Sequence, residues 1–328
     1  MSDSLAVKPT ISVIVPCYNV EVYIDRVLGS LRSQTFSDFE IIAVDDGSSD
    51  GTLGRLEGWA GTESRLRIYS QENQGLYHAR LSGIALARGE WITFMDADDE
   101  VTQGHLAALM SGAADDVDVV ITGIASIGLD GVETRYGPRK GRMGGAEAAI
   151  ALLVGHHSNG LFPCWNKLYR RSALEAVKFD RSRINQGEDQ VFNLRVFQAI
   201  RGLISTVEGF TYRYIARPGS IMRSMSERHV ADFFELWRER HEAATTLLQD
   251  SRLQLSYRHR LMLNVMDFAG QVYRSRRRDL MQQLTYGLQQ MTLQPKLDPA
   301  DPIALLRWLK WRMRMELGQR GHFVGWLM

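Results

Sequence analysis

The chain has almost nothing with which to staple itself. Only two cysteines, Cys17 and Cys164, occur in 328 residues. They stand far apart and form no C-x-x-C pair, which argues against a disulfide framework or a structural zinc site and for reduced thiols in a cytosolic compartment. A chain of about 300 residues buries roughly three quarters of its unfolded surface and needs neither staple. A dominant charge is missing too. The 39 basic and 38 acidic side chains leave a net +1, so no global field draws nucleic acid or a membrane, and any such attraction must be local. No run of about 18 apolar residues is present to span a bilayer. Residues 1–10 lack the basic start and apolar stretch of a secretory leader. The location expected from these absences is the cytoplasm. Repeats and low-complexity tracts are also absent. What remains is an ordinary globular balance, 45% hydrophobic and 23% charged, at a length that predicts about two domains.

The first hundred residues alternate. Ile11–Val15 is a β-branched run closed by Pro16, and Ile24, Val27, Leu28 and Leu31 have helical spacing within residues 22–33. Phe39–Val44 reads as a strand that stops at a polar loop, Asp45–Thr52, with a helix cap near its end. Residues 66–69 and 91–95 read as strands, with a helix over 76–87 between them. Short strands separated by helices predict an α/β fold with a mostly parallel sheet flanked by helices. Such sheets place ligands at the carboxyl ends of their strands, which here are Pro16–Asn19, Asp45–Asp50 and Asp96–Asp99. Further on, residues 121–127 and 132–136 read as a hairpin. Gly137–Gly145 is glycine-rich and basic and reads as a mobile connection. Helices follow over 146–154 and 190–199, and one or two strands over 203–214. After about Ser226 helical periodicity takes over (Val230, Phe233, Phe234, Trp237, then Leu261, Val265, Phe268, Val272), which predicts four or five helices. The expected boundary therefore divides residues 1–225 from a helical region, 226–328.

Asp96-Ala97-Asp98-Asp99 follows directly on an apolar strand. Carboxylates crowded there repel unless a cation or a proton intervenes, and oxygen ligands select hard divalent ions such as Mg²⁺ or Mn²⁺. The bland alternative is a set of loop acids capping the next helix. Asp45 and Asp46 at a second strand end weigh against it. His156-His157 is adjacent in sequence, so the two rings point different ways and read as loop histidines. Cys164 has no obvious base partner and reads as packing.

Five motifs occur in order: Ile11-Ser-Val-Ile-Val-Pro-Cys-Tyr-Asn19, Ser33-Gln-Thr-Phe36, Val44-Asp-Asp-Gly-Ser-Ser-Asp-Gly-Thr52, Asn73-Gln-Gly-Leu-Tyr-His-Ala-Arg80 and Phe94-Met-Asp-Ala-Asp-Asp99. Together they resemble the nucleotide-sugar-binding half of family 2 glycosyltransferases of the GT-A, Rossmann-like fold. Pro163-Cys-Trp-Asn-Lys-Leu-Tyr-Arg170 and Gly187-Glu-Asp-Gln-Val-Phe192 resemble the acceptor half of bacterial members that build surface polysaccharides. The resemblance covers about residues 10–222 and implies a nucleotide half (1–100) and an acceptor half (101–225). It implies a UDP-sugar donor bound by Pro16, Tyr18, Asp46, Arg80, Asp96, Ala97 and Asp98, with Tyr18 near the base and Asp46 on the uracil ring. Asp96 is expected near the ribose or sugar, and Asp98, with Asp96 beside it, on Mn²⁺ or Mg²⁺. The general base falls on Asp189, with Glu188 as the alternative one residue away. Trp165, Asn166 and Lys167 are expected to line the sugar pocket, with Lys167 near phosphate, although Trp165 reads equally as core. Residues 217–223 are expected to form a mobile basic lid over the diphosphate.

These parts suffice for a single in-line displacement. A cation neutralises the leaving diphosphate, and one separate carboxylate takes the acceptor proton. Attack opposite the leaving group inverts the anomeric carbon. The expected acceptor is a hydroxyl of a polysaccharide, lipopolysaccharide or lipid-linked oligosaccharide. Two other readings stand beside this one. A sugar nucleotidyltransferase would want a glycine-rich basic loop after the first strand, where Pro16-Cys-Tyr-Asn19 stands instead. A non-catalytic assembly protein has no need of Asp96, Asp98 and Asp189 together. At the other end, residues 303–328 combine Trp308, Trp311 and Trp326 with five basic residues against Glu316. That composition resembles an interfacial anchor on anionic lipid, with Arg274-Ser-Arg-Arg-Arg278 as a second basic cluster. The alternatives are a helix packed on its own domain or a homodimer contact through the C-terminal helices. No nucleic-acid partner is expected.

Overall fold

The computed structural model describes residues 8–155, 160–179, 187–217 and 226–290. His156-His157, the part of the expected lid beyond Arg217, and the segment 303–328 lie outside the described residues. The described residues form two compact units, one of residues 8–152 and 160–217 and the other of 153–155 and 226–290.

The first unit is built on one sheet. Its opening half runs β1 (Ile11–Cys17), α1 (Ile24–Arg32), β2 (Phe39–Asp45), α2 (Thr52–Ala60), β3 (Leu66–Ser70), α3 (Leu76–Leu86) and β4 (Trp91–Phe94). All seven residues of β1 are buried, as a strand covered on both faces requires. It pairs in parallel with β2 from Ile11↔Phe39 to Cys17↔Asp45, and with β4 from Ile11↔Trp91 to Ile14↔Phe94. The β4 ladder thus ends before Pro16, which has no N–H to offer it. Helix α1 buries Ile24, Val27, Leu28 and Leu31, a stripe at i, i+3, i+4 spacing. Helix α3 lies so close to β1 that a Cβ on Gly83 would meet Ile14 Cγ2 at 2.3 Å.

The second half is mixed. It contains β5 (Glu100–Val101), α4 (His105–Met110), β6 (Val117–Ile127), β7 (Glu133–Tyr136), β8 (Gly141–Gly144), α5 (Gly145–Val154), β9 (Lys167–Arg170), α6 (Arg171–Glu175), α7 (Glu188–Ala199) and β10 (Leu203–Ile215). The sheet order is β3-β2-β1-β4-β9-β6-β10-β5, with β7 on β6 and β8 on β10. β9 is antiparallel to both of its neighbours, β4 and β6. The expected hairpin is present: β6 and β7 pair from Ile124↔Tyr136 to Ile127↔Glu133. The glycine-rich stretch expected to be mobile is corrected in part. Gly141–Gly144 is the strand β8, fixed by antiparallel pairing with Leu203–Thr206. Helix α4 was not expected, because six residues are too few to show a period.

The second unit contains α8 (Glu227–Leu247), α9 (Ser251–Arg274) and α10 (Arg278–Gln290). Asp250 caps α9 through the N–H groups of Arg252 (2.7 Å) and Leu253 (3.2 Å). Its core draws Val230 and Trp237 from α8, Val265, Phe268 and Val272 from α9, and Leu284 from α10. Phe233 stacks on Phe268 with ring centroids 4.4 Å apart. Burial of each such side chain contributes about 1.5–3 kcal/mol. The α9–α10 turn turns on Arg276, whose φ is +58°.

Candidate active site

Three loops at the carboxyl ends of parallel strands meet around the acids. After β1, Pro16 is buried while Tyr18 is 51% exposed. Asn19 links this loop to the next, because its side chain accepts from the Ser49 N–H at 2.8 Å. After β2, Asp46 is buried, and its carboxylate accepts from Gln71 Nε2 (2.7 Å) and the main-chain N–H groups of Gln74 (2.9 Å) and Gly75 (2.8 Å).

The third loop follows β4 and carries the charge. Arg80 on α3 is 1% exposed and faces acids from two directions. Its Nη2 donates to Asp96 Oδ1 at 3.0 Å, and its Nη1 to Asp189 Oδ1 at 2.6 Å and Glu188 Oε1 at 3.3 Å. Glu188 and Asp189 open α7 just after Gly187, whose φ of +80° suits glycine. Burial pushes the Asp96 carboxyl up to about 6; Arg80 opposes the rise, and Asp189 and Asp98 add to it. Burial, with Asp189 beside it, pushes Glu188 up to about 8. One buried cation thus ties the β4 end to the start of α7.

Asp98 pairs with Nε of Arg217, and its carbonyl accepts from Arg26 Nη2. Asp99 is buried and accepts from the Tyr212 hydroxyl (2.9 Å) and the Ile215 N–H (2.9 Å). Tyr212 Oη also accepts from the Asp96 N–H at 3.2 Å, so β10 holds the acidic loop in place. Trp165 stacks on Tyr212 at 4.1 Å and on Tyr214 at 6.0 Å between ring centroids.

The sequence pattern described as Glycosyl transferase family 2 matches residues 12–178. A Bacillus subtilis chain named as a glycosyltransferase, EpsH, is 33% identical over 262 residues, 77% of this chain and 73% of its own length. The chain belongs to glycosyl transferase family 2. The Campylobacter jejuni GalNAc(5)-diNAcBac-PP-undecaprenol beta-1,3-glucosyltransferase is 37% identical to it over 107 residues, 32% of this chain and 35% of that one. The crystal structure of S. aureus TarS 1–349 in complex with UDP superposes on this glycosyltransferase with a TM-score of 0.60 and 19% identity, covering 97% of this chain and 94% of that one. That likeness shows the GT-A fold.

Within the glycosyltransferase, two expectations about the sugar pocket are corrected. Asn166 and Lys167 are fully buried. The Asn166 amide donates to the carbonyls of Thr122 (2.8 Å) and Gly160 (3.2 Å). Lys167 Nζ donates to Gly160 O (2.9 Å), Asn166 Oδ1 (2.9 Å) and Pro163 O, which uses all three of its protons. Burial lowers its pKa to about 7. These residues fix the 160–167 segment from behind rather than touch a sugar. Trp165 is 7% exposed, with one face taken by Tyr212, and so belongs to the packed wall. Arg80, expected beside the nucleotide, sits among the acids. Tyr212 was missed, and Asp99, although it stands in the Asp96-Ala97-Asp98-Asp99 cluster, was given no role of its own.

Among the described residues no three His, Cys, Asp or Glu side chains converge to hold a metal by themselves. Mg²⁺ and Mn²⁺, however, take one or two carboxylates and fill their remaining positions with water and phosphate oxygens. Asp96 and Asp98 offer hard oxygens on side chains 24% and 22% exposed. Burial first, and then the neighbouring Asp189 and Asp98, raise the Asp96 carboxyl, and an added cation would relieve that crowding. Such a donor set fits a divalent cation. No helix among the described residues is long and apolar enough to cross a membrane.

Proposed function

We propose that this glycosyltransferase moves a sugar from a UDP-sugar to a hydroxyl of a bacterial polysaccharide, lipopolysaccharide or lipid-linked oligosaccharide, with inversion at the anomeric carbon. The observation that carries this reading is the single arginine shared by the β4-end acid Asp96 and the α7 acids Glu188 and Asp189. It brings a donor-side carboxylate and a separate acceptor-side carboxylate into one site, which an in-line displacement needs. Asp189 is the base. Its Oδ1 is held by Arg80, and its Oδ2 accepts a long bond from the Cys164 N–H, 3.3 Å; a carboxylate has about four acceptor sites, so a lone pair can serve the acceptor hydroxyl. Glu188 is buried, and burial, with Asp189 beside it, raises its carboxyl to about 8, which favours the protonated form and makes it the poorer candidate to take a proton. The acceptor proton passes to Asp189 as the new C–O bond forms and the bond to the diphosphate breaks.

On the donor side, three donors occupy the Asp46 carboxylate. A carboxylate has about four acceptor sites, so one remains for the imide N–H of uracil, with the exposed Tyr18 ring beside it for the base. Asp98, with Asp96, would hold Mn²⁺ or Mg²⁺, which when bound supplies positive charge to the departing diphosphate. TarS, bound to UDP and to UDP-GlcNAc in its crystal structures, and the undecaprenol-linked substrate named for the C. jejuni relative support the donor and acceptor classes.

Thermal stabilisation by UDP, GDP, CMP and ADP, each with and without Mn²⁺, tests the reading, because a ligand of the native state raises its melting temperature. UDP with Mn²⁺ is expected to give the largest shift, and Asp98→Asn to abolish the Mn²⁺ dependence. A larger shift with GDP would overturn Asp46 as the uracil reader. NMR of the product from an α-linked donor should show a β-anomer; an α-anomer would rule out the single displacement.

A further inference from the structure

The α9–α10 turn concentrates charge that the fold does not use. Tyr273, Arg274, Arg276, Arg277 and Arg278 are all exposed. Arg277 pairs with Asp279 at 2.6 Å, and Glu227 adds a negative charge in its vicinity. For Arg274, Arg276 and Arg278, no carboxylate lies within ion-pair distance among the described residues. In a chain whose net charge is +1, this is a pronounced local asymmetry, and like charges so close repel.

A second observation is independent of charge. Arg276 has φ +58°, a conformation glycine adopts freely and other residues adopt at a steric cost. A stability-optimised turn would carry glycine here. Keeping arginine at a strained position gives up stability for a side chain that makes no ion pair within the described fold, and strain of this kind concentrates at functional sites.

We infer that this turn is a docking corner for an anionic phospholipid surface. Guanidinium groups grip phosphate oxygens through paired N–H donors, and the half-exposed Tyr273, at 44%, adds a ring with an apolar body and a polar tip suited to the headgroup layer. The shape of the cluster favours lipid over nucleic acid. Its cations sit on one turn, a point contact, whereas binding a polynucleotide relies on a stripe that follows many phosphates. The inference concerns where the enzyme rests, not what it transfers, so it stands or falls apart from the proposed reaction.

Co-sedimentation of the purified full chain with phosphatidylglycerol–phosphatidylcholine vesicles tests it, with pure phosphatidylcholine vesicles as control. Binding is expected only to the anionic vesicles and should fall with salt. Replacing Arg274, Arg276 and Arg278 together by serine should lower the partition coefficient roughly 100-fold. Arg276→Gly alone should lower it about fivefold while raising the melting temperature, a pairing that a purely structural role would not produce. All these chains share residues 291–328, so binding by that segment cancels in the comparison. Should the triple variant fail to fold, Arg276→Gly decides the question. Unchanged vesicle binding in the folded variants, or retention of the wild type by duplex DNA but not by anionic vesicles, overturns the inference.

Discussion

At the end of β2 a buried aspartate, Asp46, is met by three neutral N–H donors, all from the segment just after β3. At the end of β4, on the other side of β1, Asp96 shares a single guanidinium with two more acids from α7. The first carboxylate has its partners already supplied by the fold. The second belongs to a cluster with more negative charge than Arg80 can neutralise, and burial lifts both Asp96 and Glu188 above their ordinary range. Under the proposed function, the difference separates recognition from chemistry. A carboxylate in a neutral cradle is ready to accept one more hydrogen bond, while a crowded, arginine-bridged set responds to any added cation or proton.

The contrast can be broken from either side. The largest expected effect is on rate: Asp189→Asn should lower turnover by about 10²–10⁴-fold with UDP stabilisation unchanged, read from initial rates beside melting shifts. Full activity would remove Asp189 from the mechanism. Next comes Arg80→Met, which leaves buried acids without their cation and should cost about 3–5 kcal/mol in urea unfolding. Asp46→Asn turns an acceptor into a donor before one of its N–H partners and should cost about 1–3 kcal/mol. Equal losses at Arg80 and Asp46 would erase the distinction between the two loops.

The smallest effect has the opposite sign. Unfolded, Glu188 loses its proton near 4.5, but folded it keeps it to about 8. The native state therefore binds more protons in that window, and this group's contribution to stability falls as pH rises through it. Glu188→Gln removes that loss. The variant should melt a few degrees above the wild type at pH 8, and the gap should close towards pH 4.5. A constant gap across this range would place the effect elsewhere.

Much of this was legible in the sequence where signals are local. Strands β1 to β4 and helices α1 and α3 announce themselves by apolar runs and spacing, and the C-terminal stripe of Val230, Trp237, Val265, Phe268 and Val272 is the observed core of its unit. What escaped depends on partners far along the chain. Gly141–Gly144 is a strand only because Leu203–Thr206 lies beside it. Lys167 looks like a surface cation until the carbonyls of Gly160 and Pro163 close over it. Arg80 carries a family motif but not its three acidic neighbours, two of which lie more than a hundred residues away.

The placement of β9 bears on how the protein is made. Strand β4 finds its outer neighbour only when Lys167–Arg170 has been synthesised, about 75 residues after Phe94. At 5–20 residues per second, the nascent chain on the ribosome spends roughly 4–15 s with an apolar strand edge open in the middle of its future sheet. An unpaired edge of that kind is a template for association between chains, so expression yield should respond to translation speed between codons 95 and 170.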